Sequence, residues 1–226
     1  MSHADSTCWT VIEAAASGSV VDREGFARRY TPVLRAYLAA RWRNSACLRE
    51  LEDAVQEIFV ECFKPGGVLV HAQRDRPGGF RAFLYGAARN IARRFESRLA
   101  GRQQPLPGAC NFDQIIDSQD SLSKVFDRAW ARSIFREAVC RQEQLAQSSA
   151  EAARRRVELL RLRFQENMPI RVIARSWSLD AAKLHHEYAT ARQEFKTALV
   201  EVVNFHHPGT QQEIEDECAN LLAMLG

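Results

Sequence analysis

Apolar residues recur along this chain at spacings of three and four positions, which is the periodicity of helices that bury one side. Alternation with a period of two is scarce, and no Asn-Gly or Asp-Gly pair marks a hairpin. The pattern therefore predicts an all-α protein. The predicted helices cover Val11–Ala16, Arg23–Arg43, Arg49–Lys64, Gly79–Leu99, Ser121–Ser148, Glu151–Glu166, Ile170–Trp177, Ala181–Asn204 and Gln211–Leu225.

The composition is that of a chain that folds around an apolar core, with 46% hydrophobic and 26% charged residues among 226. Six cysteines are scattered without a C-x-x-C pair, which argues against a disulfide framework and a thiolate zinc site and fits a reducing compartment. The first residues lack a basic and apolar leader, and no stretch reaches the roughly 18 apolar residues of a membrane span. We therefore expect a cytoplasmic protein without membrane insertion.

The net charge of +3 hides a segregation of charge along the chain. Between His71 and Arg102, eight of the ten charged residues are basic, whereas 105–127 carries four aspartates against one lysine. A second basic run starts at Arg154, and no Lys or Arg occurs from Glu201 onward. Because the acidic stretch is also rich in turn-forming residues, this layout predicts two small helical domains joined by a flexible linker. The predicted divisions are a first domain at 1–102, an acidic linker at 103–120, a second domain at 121–204 and a short C-terminal helical extension at 205–226.

The predicted helix that starts at Gly79 has one apolar stripe and one basic face. Arg89 points directly away from the stripe and is flanked by Tyr85 and Arg93. Arg81 and Asn90 lie on the two opposite margins of this basic face. Arginines attract a nucleic-acid backbone, whereas a tyrosine can stack on a base and an amide can bond to its edge. The alternative is a solvated helix with an excess of arginine. The stripe consists of Phe80, Phe83, Leu84, Ala87, Ala88, Ile91 and Phe95.

The preceding predicted helix leaves a different surface outside. Asp53, Gln56, Glu57 and Val60 share the side that faces away from its apolar stripe. Carboxylates steer a basic partner and the valine adds a small desolvated contact, which predicts a docking surface for a protein. A stray exposed valine is the alternative interpretation.

The segments EDAVQEIFVECF and FRAFLYGAARNIARR, separated by a loop rich in glycine and arginine, resemble the core-binding and promoter-melting region of bacterial sigma factors. The resemblance is to the extracytoplasmic-function group of the sigma-70 family, and FARRYTPVLRAYLAAR upstream resembles the first helix of that region. It implies that the docking surface binds the clamp helices of RNA polymerase. It also implies that the loop and the following helix contact the minus-ten promoter element and hold a flipped base. The implied DNA contacts are Arg74, Arg76, Phe80, Arg81, Tyr85, Arg89, Asn90 and Arg93.

The segment MPIRVIARSWSLDAAKLHHEYATARQEFKTAL has the pattern of a helix-turn-helix. Pro169 suits the first turn of the short helix, SWSLD forms the turn, and Asp180 is the predicted N-cap of the second helix. This motif, preceded by VELLRLRFQE, resembles the promoter-recognition domain of the same family, which implies contact with the minus-thirty-five element. The predicted contacts are Arg171, Arg175, Lys183, His185, His186 and Arg192.

The second helix of this motif carries fewer basic residues than is usual in the family. Glu187 would repel a phosphate, so we expect the minus-thirty-five contact to be weak or unusual. His185 and His186 diverge by about 100° on a helix, which favours groove-edge donors or structural residues over metal ligands.

The linker and the tail each allow two interpretations. By the resemblance, the acidic linker threads the basic RNA-exit path of polymerase and imitates nucleic acid, whereas a plain solvated linker is the simpler alternative. The tail has a capping box from Thr210 to Glu213 and an apolar stripe that either packs on the second domain or docks to a regulator. His206, His207 and Cys218 are weak zinc candidates, and we predict no metal.

Together these features predict a sigma factor that directs RNA polymerase core to specific promoters and assists strand opening. The alternative is a helix-turn-helix regulator, or a partner-binding protein, whose sigma-like domain does not open DNA. The expected partners are polymerase core and promoter DNA, and an anti-sigma factor is a further partner that the resemblance allows. Because no catalytic set or phosphate-cradling glycine loop is apparent, we expect neither enzymatic activity nor a cofactor.

Overall fold

The computed structural model describes residues 8–72, 78–102 and 119–225, and this part of the chain is helical without a strand. The prediction of an all-α protein is therefore confirmed for the described residues. Short 3-10 turns at Ala46–Glu50 and Val68–His71 precede and follow the third helix. The helices are α1 (Cys8–Ala16), α2 (Val20–Arg41), α3 (Leu51–Phe63), α4 (Gly79–Arg102), α5 (Gln119–Gln147), α6 (Glu151–Phe164), α7 (Ile170–Ser176), α8 (Ala181–His206) and α9 (Gln211–Leu225).

Local side-chain bonds fix where several helices begin. The Ser19 hydroxyl accepts the backbone N–H of Asp22 at the start of α2. At the start of α9, the backbone N–H of Thr210 donates to Glu213 Oε2 at 2.7 Å and the N–H of Glu213 donates back to Thr210 Oγ1 at 3.4 Å. This reciprocal pair is the predicted capping box, which satisfies N–H groups that lack a partner inside the helix.

Contacts between residues divide the described chain into two compact units. The first unit comprises the described residues of Met1–Ser133 together with Phe205–Pro208 and Ala219–Gly226. The second unit comprises Ile134–Asn204 and Gly209–Cys218. These bounds differ from the predicted domains, because the first half of α5 belongs to the first unit. Of the predicted linker at 103–120, residues 103–118 lie outside the described residues.

The core of the first unit is built around an aromatic cluster. The ring of Trp130 on α5 stacks on Tyr30 of α2, with centroids 5.5 Å apart and planes 12° apart. Phe80 at the start of α4 lies 5.3 Å from Tyr30 and 5.9 Å from Phe26. Edge and stacked contacts of this kind add to the large apolar area that such rings bury. The start of α5, which follows the predicted linker, therefore completes the core of the unit that precedes it.

A buried ion pair fixes α4 against the end of α2. Glu96, only 9% exposed, accepts two bonds from the Arg41 guanidinium at 2.7 and 3.0 Å and one from the Trp42 indole N–H at 2.6 Å. Arg41 also donates to the Tyr37 hydroxyl at 3.5 Å, and burial raises the pKa of Tyr37 to about 12. Removing the Glu96 carboxylate from water is unfavourable, and the bidentate, charge-assisted hydrogen bonds from Arg41 compensate for the lost hydration.

The second unit has its own apolar cluster where α6, α7 and α8 meet. Leu159, Ile173 and Leu184 are fully or almost fully buried, and Trp177, Leu179 and neighbouring apolar residues pack around them. On the facing part of α5, the buried Gln142 amide donates to the Ala191 carbonyl of α8 at 3.2 Å, and Phe135 lies 6.1 Å from Phe195. Glu201 of α8 accepts from Arg141 of α5 at 2.8 Å.

Replacement of Glu96 by alanine should strongly destabilise the protein. Arg41 would remain buried without its carboxylate, and breaking such a pair costs about 3 to 5 kcal/mol. The control is Glu52→Ala, which removes the partner of Arg35 in an ion pair whose two side chains are about half exposed, and it should cost less than about 1 kcal/mol. Urea unfolding followed by circular dichroism measures both values. Equal losses in the two variants would contradict the assignment.

Candidate nucleic-acid interface

The surface predicted on α4 is present, but it is narrower than its sequence pattern indicates. Asn90, Arg93 and Arg94 are exposed. Arg89, predicted at the centre of the open face, is half-buried and its Nε atom is inaccessible to solvent. Ala92 lies on the same side of the helix and is fully covered. α4 is therefore buried on two sides, and its open strip is centred on Asn90 and Arg93.

Other residues of the first unit occupy the predicted contacts at the start of α4. Tyr85 is half-buried, and its ring lies 5.2 Å from Phe126 of α5 and 5.5 Å from Tyr37 of α2. Arg81 Nε lies 3.6 Å from Asp127 Oδ1, and Arg81 Nη1 donates to Met224 Sδ at 3.3 Å. These two side chains are consequently held against the first unit instead of projecting into solvent.

Phe80 is not part of the surface. It is 2% exposed and its ring contacts Trp9, Tyr30 and Trp130 within the aromatic core. Phe80 was predicted as a DNA contact, but its ring is enclosed in this structure and is not accessible to a base. Arg74 and Arg76, the contacts predicted in the preceding loop, lie outside the described residues.

Two glycines carry the chain into α4. Gly78 and Gly79 have φ angles of 79° and 57°, in the left-handed region that other residues rarely adopt. A Cβ on Gly78 would also lie 2.8 Å from the Cβ of Ala82. A side chain at either position would therefore strain the backbone at the start of α4.

The predicted docking surface on α3 is exposed on three of its four positions. Asp53 and Gln56 are open to solvent, and Val60 is 62% exposed between carboxylates of the same helix. Glu57 is half-buried and forms an ion pair with Arg98 of α4. Asp53, Gln56 and Val60 thus remain available to a partner, whereas Glu57 is already engaged within the unit.

Two parallel ion pairs join α3 to α4 beside this surface. Glu61 accepts from Arg94 at 3.1 Å, one turn along from the pair between Glu57 and Arg98. Bonds from Lys64 and Arg94 hold the pKa of Glu61 below its usual value. These pairs were not predicted, although the sequence carries a signal for them: acidic residues four apart on one helix match arginines four apart on the next.

In the second unit, a short helix, a turn and a long helix follow one another as predicted. α7 ends at Ser176, and the chain turns through Ser178, which has a φ of 54°. Asp180 Oδ1 then accepts the backbone N–H of Lys183 at 2.9 Å, so Asp180 is the N-cap of α8. Below the turn, the buried residues Ile173 and Leu184 hold the two helices together.

All six contacts predicted in the second unit are on its surface. Leu184 is buried, whereas its neighbours Lys183 and His185 are exposed. Within the first turns of α8, adjacent residues therefore face the core and the solvent. Arg192 is exposed with its guanidinium 5.9 Å above the Tyr188 ring. The remaining exposed members are His186, Arg171 and Arg175.

Glu187 does not stand alone on this surface. Arg156 of α6 lies 3.4 Å from Glu187 Oε2 and forms a closer pair, at 2.5 Å, with Glu194. The repulsion of phosphate expected from Glu187 is therefore reduced by a half-buried arginine. Phe164, which was not predicted as part of this surface, is 68% exposed at the end of α6, and its ring centroid lies 6.4 Å from that of Tyr188.

Three cysteines of the first unit, Cys8, Cys47 and Cys62, are buried. Burial raises the pKa of the Cys62 thiol to about 12, which keeps it protonated. Across residues 8–72, 78–102 and 119–225, no three His, Cys, Asp or Glu side chains come together as metal ligands. No helix in the same ranges is long and apolar enough to cross a bilayer.

None of the protein-family models, curated proteins or solved structures compared with this chain matches it.

Removal of the N-cap should weaken the presentation of the second surface. Asp180→Ala leaves the Lys183 N–H without its acceptor and should lower the free energy of unfolding by about 1 kcal/mol. Asp180→Asn is the matched control, because asparagine caps helices about as well. Thermal and urea unfolding measure both variants. If alanine and asparagine have the same effect, the cap does not stabilise α8.

Proposed function

We propose that this protein is a sigma-type initiation factor, which binds bacterial RNA polymerase core, directs it to promoters and assists strand opening. The resemblance of the α3 and α4 segments to sigma factors of the extracytoplasmic-function group is its starting point. The observation that carries the proposal is that each unit leaves its own polar contact strip outside while the neighbouring apolar residues are buried. Asn90 and Arg93 form this strip in the first unit, and Lys183, His185 and His186 form it in the second.

In this proposal α3 is the polymerase-binding element. Asp53 steers the helix towards a basic partner, Gln56 supplies hydrogen bonds and Val60 supplies a desolvated contact, since all three are exposed on one side. The ion pairs from Glu57 and Glu61 to α4 hold this helix against the DNA-facing helix. Polymerase docking and promoter contact would thereby be coupled through adjacent surfaces of one unit.

The second unit would read duplex DNA as a helix-turn-helix. In that motif the early residues of the second helix enter the major groove, and helix ends and arginines contact phosphates. The exposure of the side chains at the start of α8, and of Arg171 and Arg175 on α7, supports this role.

One observation favours a second candidate function. The aromatic side chains near the start of α4 are enclosed or occupied: Phe80 and Phe83 are buried, and Tyr85 is half-buried against Phe126. Strand opening benefits from exposed aromatic rings on which bases stack. This favours a helix-turn-helix regulator or partner-binding protein whose first unit does not open DNA. Run-off transcription with core polymerase on genomic fragments separates the two, because only an initiation factor yields promoter-dependent transcripts.

The docking role of α3 predicts a specific loss of polymerase binding. The double variant Asp53→Ala with Val60→Asp should weaken binding to core polymerase at least about tenfold, the effect of losing one small desolvated contact and its steering charge. The control is Glu24→Ala with Val21→Asp, which makes the same changes at exposed positions of α2. Fluorescence anisotropy with labelled protein measures both. Equal weakening would show that α3 is not the docking element.

If the strip of Asn90 and Arg93 contacts unpaired bases, substitution of Asn90 should impair the opening of promoter strands more than the binding of duplex DNA. Asn90→Ala removes an exposed amide that can bond to the edge of an unpaired base, so permanganate reactivity of promoter thymines should fall several-fold. Ser97→Ala, two turns along the same exposed side, is the control. Affinity for duplex DNA, measured in parallel, should change less than twofold in both variants, because neither substitution removes a phosphate contact. A uniform loss in every assay would indicate misfolding and reject this role.

A further inference from the structure

The last part of the chain lies at the start of α4. Met224 Sδ accepts from Arg81 Nη1 at 3.3 Å. His207 Nδ1 lies 3.9 Å from the position that a Cβ on Gly79 would occupy. Just before it, the buried His206 contacts the rings of Tyr30 and Trp130. These residues all belong to the first unit.

Arg81 is therefore held by two different parts of the chain. On one side Asp127 of α5 lies 3.6 Å from its Nε atom, and on the other the thioether of Met224 receives its Nη1 donor. A thioether is a weak acceptor, far inferior to the phosphate oxygens that an exposed guanidinium binds. The contact of Arg81 with Met224 is therefore weaker than the contact that Arg81 could form with a phosphate. A contact this weak can be broken when a stronger acceptor is present.

We propose that the end of α9, Ala219–Leu225, is an autoinhibitory cover over the start of α4. While it is in place, Arg81 is withheld from nucleic acid; when it leaves, Arg81 becomes an additional phosphate contact at the start of α4. This inference rests on the proposed function, because it assigns regulation to the same helix, α4.

The cover buries fewer apolar side chains in the first unit than the start of α5 does. Leu221, 1% exposed, is its one fully buried side chain among the described residues, while Met224 and Leu225 are half-buried. Burial of one leucine contributes about 1.5 to 3 kcal/mol. The start of α5 buries Phe126 and Trp130, two aromatic rings in the centre of the core. The cover can therefore detach while the core stays folded.

The test compares two neighbouring leucines in the full-length chain. Leu221→Asp places a charge at the buried position and should release the cover, whereas Leu222→Asp adds the same charge at a position that is 54% exposed. Release should raise affinity for a labelled single-stranded DNA of random sequence roughly tenfold, the effect of one charge-assisted bond. Leu222→Asp should bind like the unaltered protein. Hydrogen exchange of residues 219–225 reports whether the cover has detached.

Further variants keep the result unambiguous. Adding Arg81→Ala to Leu221→Asp should abolish the gain. If Leu221→Asp fails to fold, Met224→Ala removes the contact without a buried charge and should raise affinity about threefold, the effect of a weak neutral bond. Faster exchange at 219–225 without higher affinity overturns the inference.

Transcription with core polymerase distinguishes failure of this inference from failure of the proposed function. If the unaltered protein directs promoter-dependent transcription and Leu221→Asp does so equally well, the inference alone is rejected. If neither protein directs any transcript, the proposed function is rejected and the inference falls with it.

Discussion

The first unit depends on how Glu96 is satisfied. A buried carboxylate is stable only with its charge compensated, and the guanidinium of Arg41 and the indole of Trp42 supply this at the end of α2. These bonds and the burial of Leu84 and Ile91 together hold α4 in the orientation in which Asn90 and Arg93 face solvent. The candidate interface thus depends on contacts of the core as well as on the arginine pattern.

The helices and their apolar stripes were predictable because they depend on spacing within a few residues. Phe83, Leu84 and Ile91 are buried as their period indicated, and Asp180 caps α8 as its position before an apolar run indicated. Glu96 could not be predicted in the same way. A lone carboxylate among arginines on a helix normally lies in solvent, and Arg41 is 55 residues away in sequence. Burial of this residue is a tertiary property that local periodicity does not contain.

The division of the chain into two units also depends on tertiary contacts that local sequence patterns do not reveal. Charge, proline and glycine content marked 103–120 as irregular, but composition does not say on which neighbour the following helix packs. The buried rings of Phe126 and Trp130 place the start of α5 in the first unit. There Phe126 lies against Tyr85, and Asp127 lies beside Arg81. The predicted surface on α4 is narrower for this reason. In the second unit, Glu187 was expected to weaken the surface, yet Arg156 of α6 compensates it, again through a partner that spacing alone does not reveal.

The aromatic core of the first unit joins residues from almost the whole length of the chain. The Cys8 thiol donates to the His206 carbonyl at 3.2 Å, 198 positions later in sequence, and Tyr30 stacks on Trp130. During synthesis on the ribosome, α1 to α4 must therefore wait with their rings uncovered until the much later helices have been translated. Nascent chains that end before these helices therefore expose aromatic side chains that the folded protein buries.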